Sequence, residues 1–112
     1  MSNQPIVIIS SYPPRLCGIA TFAEEAREFI QKTKPNREIL VISHTDAERE
    51  DIFPIIDIND IKWWKPVAKK IIDLNPYAIH LEHEYGLYEY RDIRGIGDFC
   101  QFRKRILKKF VI

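Results

Sequence analysis

Short unbroken apolar runs alternate along this chain with stretches in which apolar residues recur every three or four positions. Pro5-Ile6-Val7-Ile8-Ile9 is one such run, and Ile39-Leu40-Val41-Ile42, within residues 38–43, is another. Rich in β-branched residues and without polar alternation, they predict strands buried on both faces. Residues 77–82 predict a further strand, and residues 53–58 a short one between.

The intervening stretches have helical periodicity. Ile19, Phe22, Ala23, Ala26 and Ile30 fall on one face, with Glu24, Glu25, Arg27 and Glu28 away from it. Thr21 with Glu24 fits a capping box, with Gly18 as an earlier start, and Lys34-Pro35-Asn36 stops the helix. A second helix buries Val67, Ala68, Ile71 and Ile72 and ends at Asn75-Pro76. Pro66 is tolerated only in a first turn, so this helix is expected to start near Lys65, after a turn over residues 61–64. Asp98 can cap a last helix carrying Phe99, Phe102, Ile106 and Leu107, and Phe110-Val111-Ile112 reads as the start of another strand.

This alternation predicts an α/β fold: a Rossmann-like parallel sheet with flanking helices, its core strands at residues 6–9, 39–42 and 78–81. Residues 1–112 make one domain's worth of chain. Ligands of such sheets bind at the carboxyl ends of the strands. Function is therefore expected in two loops, residues 10–18 and 83–97.

Composition narrows the class. The chain is 46% hydrophobic and 29% charged, so it has the means to fold. Seventeen Lys and Arg against sixteen Asp and Glu give +1, which supplies no global attraction to nucleic acid or membrane. Residues 91–112 hold seven basic and two acidic residues. Their basic positions read first as a solvated helix face, and second as a weak contact with an anionic membrane surface or with nucleic acid. Cys17 and Cys100 are too few for a disulfide framework or zinc ribbon, and fit reduced thiols in the cytoplasm. The apolar run at residues 5–9 is too short for a membrane span or signal segment. An incomplete sheet with apolar helix faces also predicts self-association.

The first loop ends in Gly18 at the head of a helix, where free N–H groups and the positive end of the dipole favour an anion. Arg15 can add a charge-assisted contact. With one glycine and no GxGxxG, the plainer reading of these residues is a turn and a solvated arginine. In the second region, His80, Glu82 and Glu84 share one strand face and His83 takes the other. Three readings compete: His83 as a polar ligand-binding group, a metal site using both histidines and a carboxylate, or rim and core residues without chemistry. Alternation separates the two histidines and counts against the metal. Adjacent Trp63 and Trp64 predict one buried ring and one at the rim, with base stacking unsupported. His44 and Asp46 follow the second strand and are within reach of a ligand there, though generic loop polarity accounts for them equally.

Two stretches resemble a known family. Tyr12-Pro13-Pro14-Arg15-Leu16-Cys17-Gly18-Ile19-Ala20-Thr21-Phe22 resembles the first-loop signature of a group of family 4 retaining glycosyltransferases with the GT-B fold. His83-Glu84-Tyr85-Gly86-Leu87-Tyr88 resembles the second signature of that group, in the same order and at a similar separation. The resemblance implies the acceptor-side, N-terminal half of an enzyme that moves a sugar from a nucleotide diphosphate to a hydroxyl with retention. It implies Arg15, Gly18, Tyr85 and Gly86 as substrate-binding residues and His83 as the group near the reacting centre. It implies no cofactor and no metal. The partners are a nucleotide-sugar donor and a hydroxyl acceptor, with no nucleic acid. The donor domain is expected outside these 112 residues, leaving the chain inactive alone. The alternative is a stand-alone, non-catalytic α/β binding or interaction module, and a third reading is a small metal-binding protein using His80 and His83.

Overall fold

In the computed structural model, which describes residues 4–14, 18–47, 49–57, 59–60 and 62–82, four strands and two helices form an α/β unit. In chain order these are β1 (Ile6–Ile9), α1 (Gly18–Thr33), β2 (Ile39–His44), β3 (Phe53–Ile56), α2 (Trp64–Leu74) and β4 (Ala78–Leu81). The sheet is parallel throughout, in the order β3-β2-β1-β4. A four-stranded parallel sheet flanked by helices is consistent with the Rossmann-like expectation.

The two cores follow from strand alternation. On β1, Val7 and Ile9 join Ile42, Ile56, Trp63, Val67, Ile71 and Ile79 under α2. Ile6 and Ile8 join Tyr12, Ala23, Ile39, Val41, Ile52 and Ala78 on the α1 side. Successive side chains of a strand point to opposite faces, so an all-apolar strand needs a cover on each. Here α1 and α2 supply those covers.

Local chemistry sets the element ends. α1 begins at Gly18, so Thr21 lies inside the helix rather than capping it. Its buried positions are Ala20 and Ala23, whereas Phe22 is 53% exposed. Ile19, Ala26 and Ile30 of the expected stripe are partly buried, so the stripe faces the sheet and only Phe22, at its margin, turns outward. α2 begins at Trp64, one residue before the expected start, which keeps Pro66 in the first turn. Asn75 ends it in the left-handed region (φ 47°), where its N–H donates to the Ile71 carbonyl at 2.9 Å. Trp63 is buried and Trp64 only partly so, matching the expected division of the pair.

β3 is shorter than the expected 53–58, and Pro54 sits within it. Proline cannot donate to a ladder and is tolerated at a sheet edge, the position β3 occupies. The helix expected after Asp98, the strand expected at Phe110 and the basic tail lie outside the described residues. Among the described residues, no helix is long and apolar enough to cross a membrane.

α2 offers a direct test of this packing. Ile71 is fully buried, while Ile72, expected from its spacing to be buried, is 66% exposed. Urea unfolding should show Ile71→Ala costing about 2–5 kcal/mol and Ile72→Ala no more than about 0.5 kcal/mol. Equal losses would place the helix face incorrectly.

Candidate functional site at the carboxyl edge

The parallel pairing sends the chain off β1, β2 and β4 at one edge. Ile9 is in register with Ile42 on one side and Leu81 on the other. The pairing continues past the strand ends: Ser10 N–H donates to Ile42 O at 3.1 Å, and Glu82 N–H to Ile9 O at 3.0 Å. The chain order runs from β1 outward through β2 to β3, then returns to the opposite side of β1 for β4. The direction of winding therefore reverses between β1 and β4, and such a reversal opens a crevice at the carboxyl edge.

Gly18 stands where the sequence places it, at the head of α1 and exposed. Among the described residues, a Cβ built there meets nothing within 4 Å. The glycine is therefore not demanded by a crowded neighbour among the described residues. Arg15, His83, Tyr85 and Gly86 lie outside the described residues. β4 brings the chain as far as Glu82, beside the end of β1.

Four polar side chains occupy the α1 side of this edge by strand alternation. Ser10 and Ser43 follow Ile9 and Ile42, are fully buried, and their hydroxyls have no hydrogen-bond partner among the described residues. His80 and Glu82 lie two apart on β4, and His80 Nε2 contacts Glu82 Oε1. The expectation that these two share a face is therefore met. Neither serine stood out in the sequence. Their signal was positional: each ends an apolar strand, and parallel register sets them side by side. His44 is buried at 3% exposure, while Asp46 is exposed. Among the described residues, no group of three or more His, Cys, Asp and Glu could hold a metal ion.

A charged network borders the first loop on the β2 side. Arg49 grips Asp51 with two bonds, Nε to Oδ1 at 3.0 Å and Nη2 to Oδ2 at 2.9 Å. Its Nη1 donates to Glu24 of α1 at 3.1 Å. Arg27 donates to the same Asp51 carboxylate at 3.1 Å, to the Asp51 carbonyl at 3.1 Å and to the Ile39 carbonyl at 3.2 Å. Both guanidiniums lie over the Tyr12 ring, 5.9 Å (Arg27) and 5.2 Å (Arg49) from its centroid. Hydrogen bonding to Glu24, and then to Asp51, holds the Arg49 guanidinium even more firmly protonated than usual. Glu24, read from sequence as half of a capping box, serves this network instead.

The network lines an open cavity of about 460 Å³. With two carboxylates already on two guanidiniums, that cavity does not have the character of an anion site. The polar crevice beside β1 and β4 is the better candidate. At this edge His80 and Glu82 are partly exposed and the head of α1 at Gly18 is exposed, while the hydroxyls of Ser10 and Ser43 are buried out of a ligand's direct reach. Such a set suits a hydroxylated or phosphate-bearing ligand.

Comparison with protein-family models, curated proteins and solved structures gave no match. The site rests on its own geometry.

Asp51 is the shared partner of both arginines, so its loss should exceed that of either one. Because all these side chains are partly exposed, the effects stay small. Asp51→Ala should cost roughly 1 kcal/mol and Arg49→Met roughly half of that, by denaturant unfolding at low salt. The difference should shrink in 1 M NaCl as the charges are screened. An Asp51 variant as stable as wild type would show that the network contributes nothing measurable.

Proposed function

We propose that this chain is the acceptor-side half of a nucleotide-sugar-dependent retaining glycosyltransferase of the GT-B type. The observation that carries the reading is the reversal of winding between β1 and β4. The two stretches on which the family resemblance rests, Tyr12 to Phe22 and His83 to Tyr88, follow these two strands in the sequence. Two motifs some 70 residues apart in sequence thus leave neighbouring strands at one edge.

In this reading the crevice receives the acceptor, and the head of α1, with Gly18 and Arg15, faces the phosphates or the acceptor. His83, Tyr85 and Gly86 wall the transferred sugar. During transfer the bond from the anomeric carbon to the diphosphate oxygen breaks, and the acceptor oxygen bonds to that carbon on the same face. The acceptor's proton leaves with the nucleoside diphosphate. Negative charge grows on the departing diphosphate, so fixed N–H dipoles and cations nearby lower the barrier most. In this reading donor recognition belongs to a second domain.

Two measurements test the reading. The purified chain, incubated with labelled nucleotide sugars and a panel of hydroxyl acceptors, should transfer no sugar. Turnover by the chain alone would contradict the division into halves. In a protein that joins this chain to a donor-binding domain, His83→Ala should lower kcat/KM by roughly 100-fold with the circular dichroism spectrum unchanged. Unchanged transfer would remove His83 from the reacting centre.

A further inference from the structure

We infer that Arg49 is a positioning residue that couples the loop after β2 to the start of the loop after β1, so that the two respond as one unit. One guanidinium connects three parts of the chain. It belongs to the loop between β2 and β3, it donates to Glu24 on α1, and it stacks over Tyr12, which follows β1. Asp51, in the same loop, is held by Arg49 on one side and by Arg27 of α1 on the other. Arg27 also reaches Tyr12 Oη at 3.5 Å and the backbone of β2 at Ile39.

The shape of the contacts argues for positioning over gross stability. Tyr12 is only 2% exposed, so its ring is a fixed platform. Immediately after it come Pro13 and Pro14, which leave the backbone little freedom to absorb a displacement. A shift of Tyr12 is therefore passed into the first loop. The ion pairs themselves are partly exposed, and such pairs contribute little to folding. Their fork geometry still fixes direction, because arginine presents its donors in a rigid plane that matches a carboxylate. Lysine keeps the charge but lacks that plane. On the β2 side the loop is anchored by Thr45 N–H to Ile56 O at 3.0 Å and by Ala47 N–H to His44 O at 3.0 Å. These two protected amides report on that loop, and the Tyr12 ring and the Ser10 amide report on the other.

The inference does not depend on sugar transfer, and its test uses the 112-residue chain without ligand. NMR spectra and amide exchange are recorded for wild type, Arg49→Met, Arg49→Lys and Tyr12→Phe. Arg49→Met should move the Tyr12 ring resonances and speed exchange at Ser10, Thr45 and Ala47 together, by roughly threefold each. Exchange at Val7 and Ile79, in the sheet, should rise by no more than the small loss of global stability dictates, about twofold. Arg49→Lys should not restore the wild-type pattern, whereas Tyr12→Phe, which keeps the ring, should retain it. If any variant fails to fold, wild type titrated with NaCl should show the same joint response as the pairs are screened. Coupling is disproved if the Thr45 and Ala47 amides respond while Tyr12 and Ser10 do not. It is equally disproved if lysine at position 49 restores the wild-type pattern.

Discussion

The double pairing of β1 is the constraint on which the rest of this molecule depends. Four residues, Ile6–Ile9, bond in parallel to β2 on one side and β4 on the other, in register along their whole length. All four are at most 4% exposed. A strand so placed must be apolar on both faces, and this requires α1 on one side and α2 on the other. Parallel pairing also forces a crossover between strands, which supplies those helices. The same pairing directs the chain off β1 and β4 at one edge, next to each other. Core, layering and crevice thus follow from one apolar tetrapeptide and its neighbours.

Much of this was legible from the pattern alone. The runs at residues 6–9, 39–42 and 78–81 have no polar alternation, and a buried parallel strand accounts for that. Pro66 and Asn75-Pro76 bounded α2 to within about a residue, because proline and left-handed asparagine have few places in a helix. The orientation of the helices was less legible. Phe22 and Ile72 satisfy helical spacing, yet both are exposed, each at the margin of a stripe whose other members are buried or partly buried. Spacing identifies a stripe but not how far its margins reach into the contact with the sheet.

The site divides in the same way. Gly18 was visible because a glycine before a periodic stretch marks a helix head. Ser10 and Ser43 were not, since a serine ending an apolar run is ordinary until register sets two of them side by side. The network around Tyr12 was invisible for a different reason. Arg27, Arg49, Asp51 and Glu24 are separated by up to 27 positions and look like generic surface charge. Only the packing of α1 beside the loop after β2 turns them into one assembly. Its electrostatic contribution to stability is small, but its geometry holds the residue from which the first loop departs.

The proposed function requires the two motif-bearing stretches to meet at the edge where β1 and β4 end. A spin label attached at position 83, as His83→Cys with Cys17 and Cys100 replaced by Ser, tests it directly by paramagnetic broadening of backbone amides. The account predicts strong broadening at Gly18, Ile19 and Ala20, with the amides of Lys34 and Arg37, at the far edge of the sheet, left sharp. Sharp signals at Gly18 to Ala20 with broadening at Lys34 and Arg37 would contradict it.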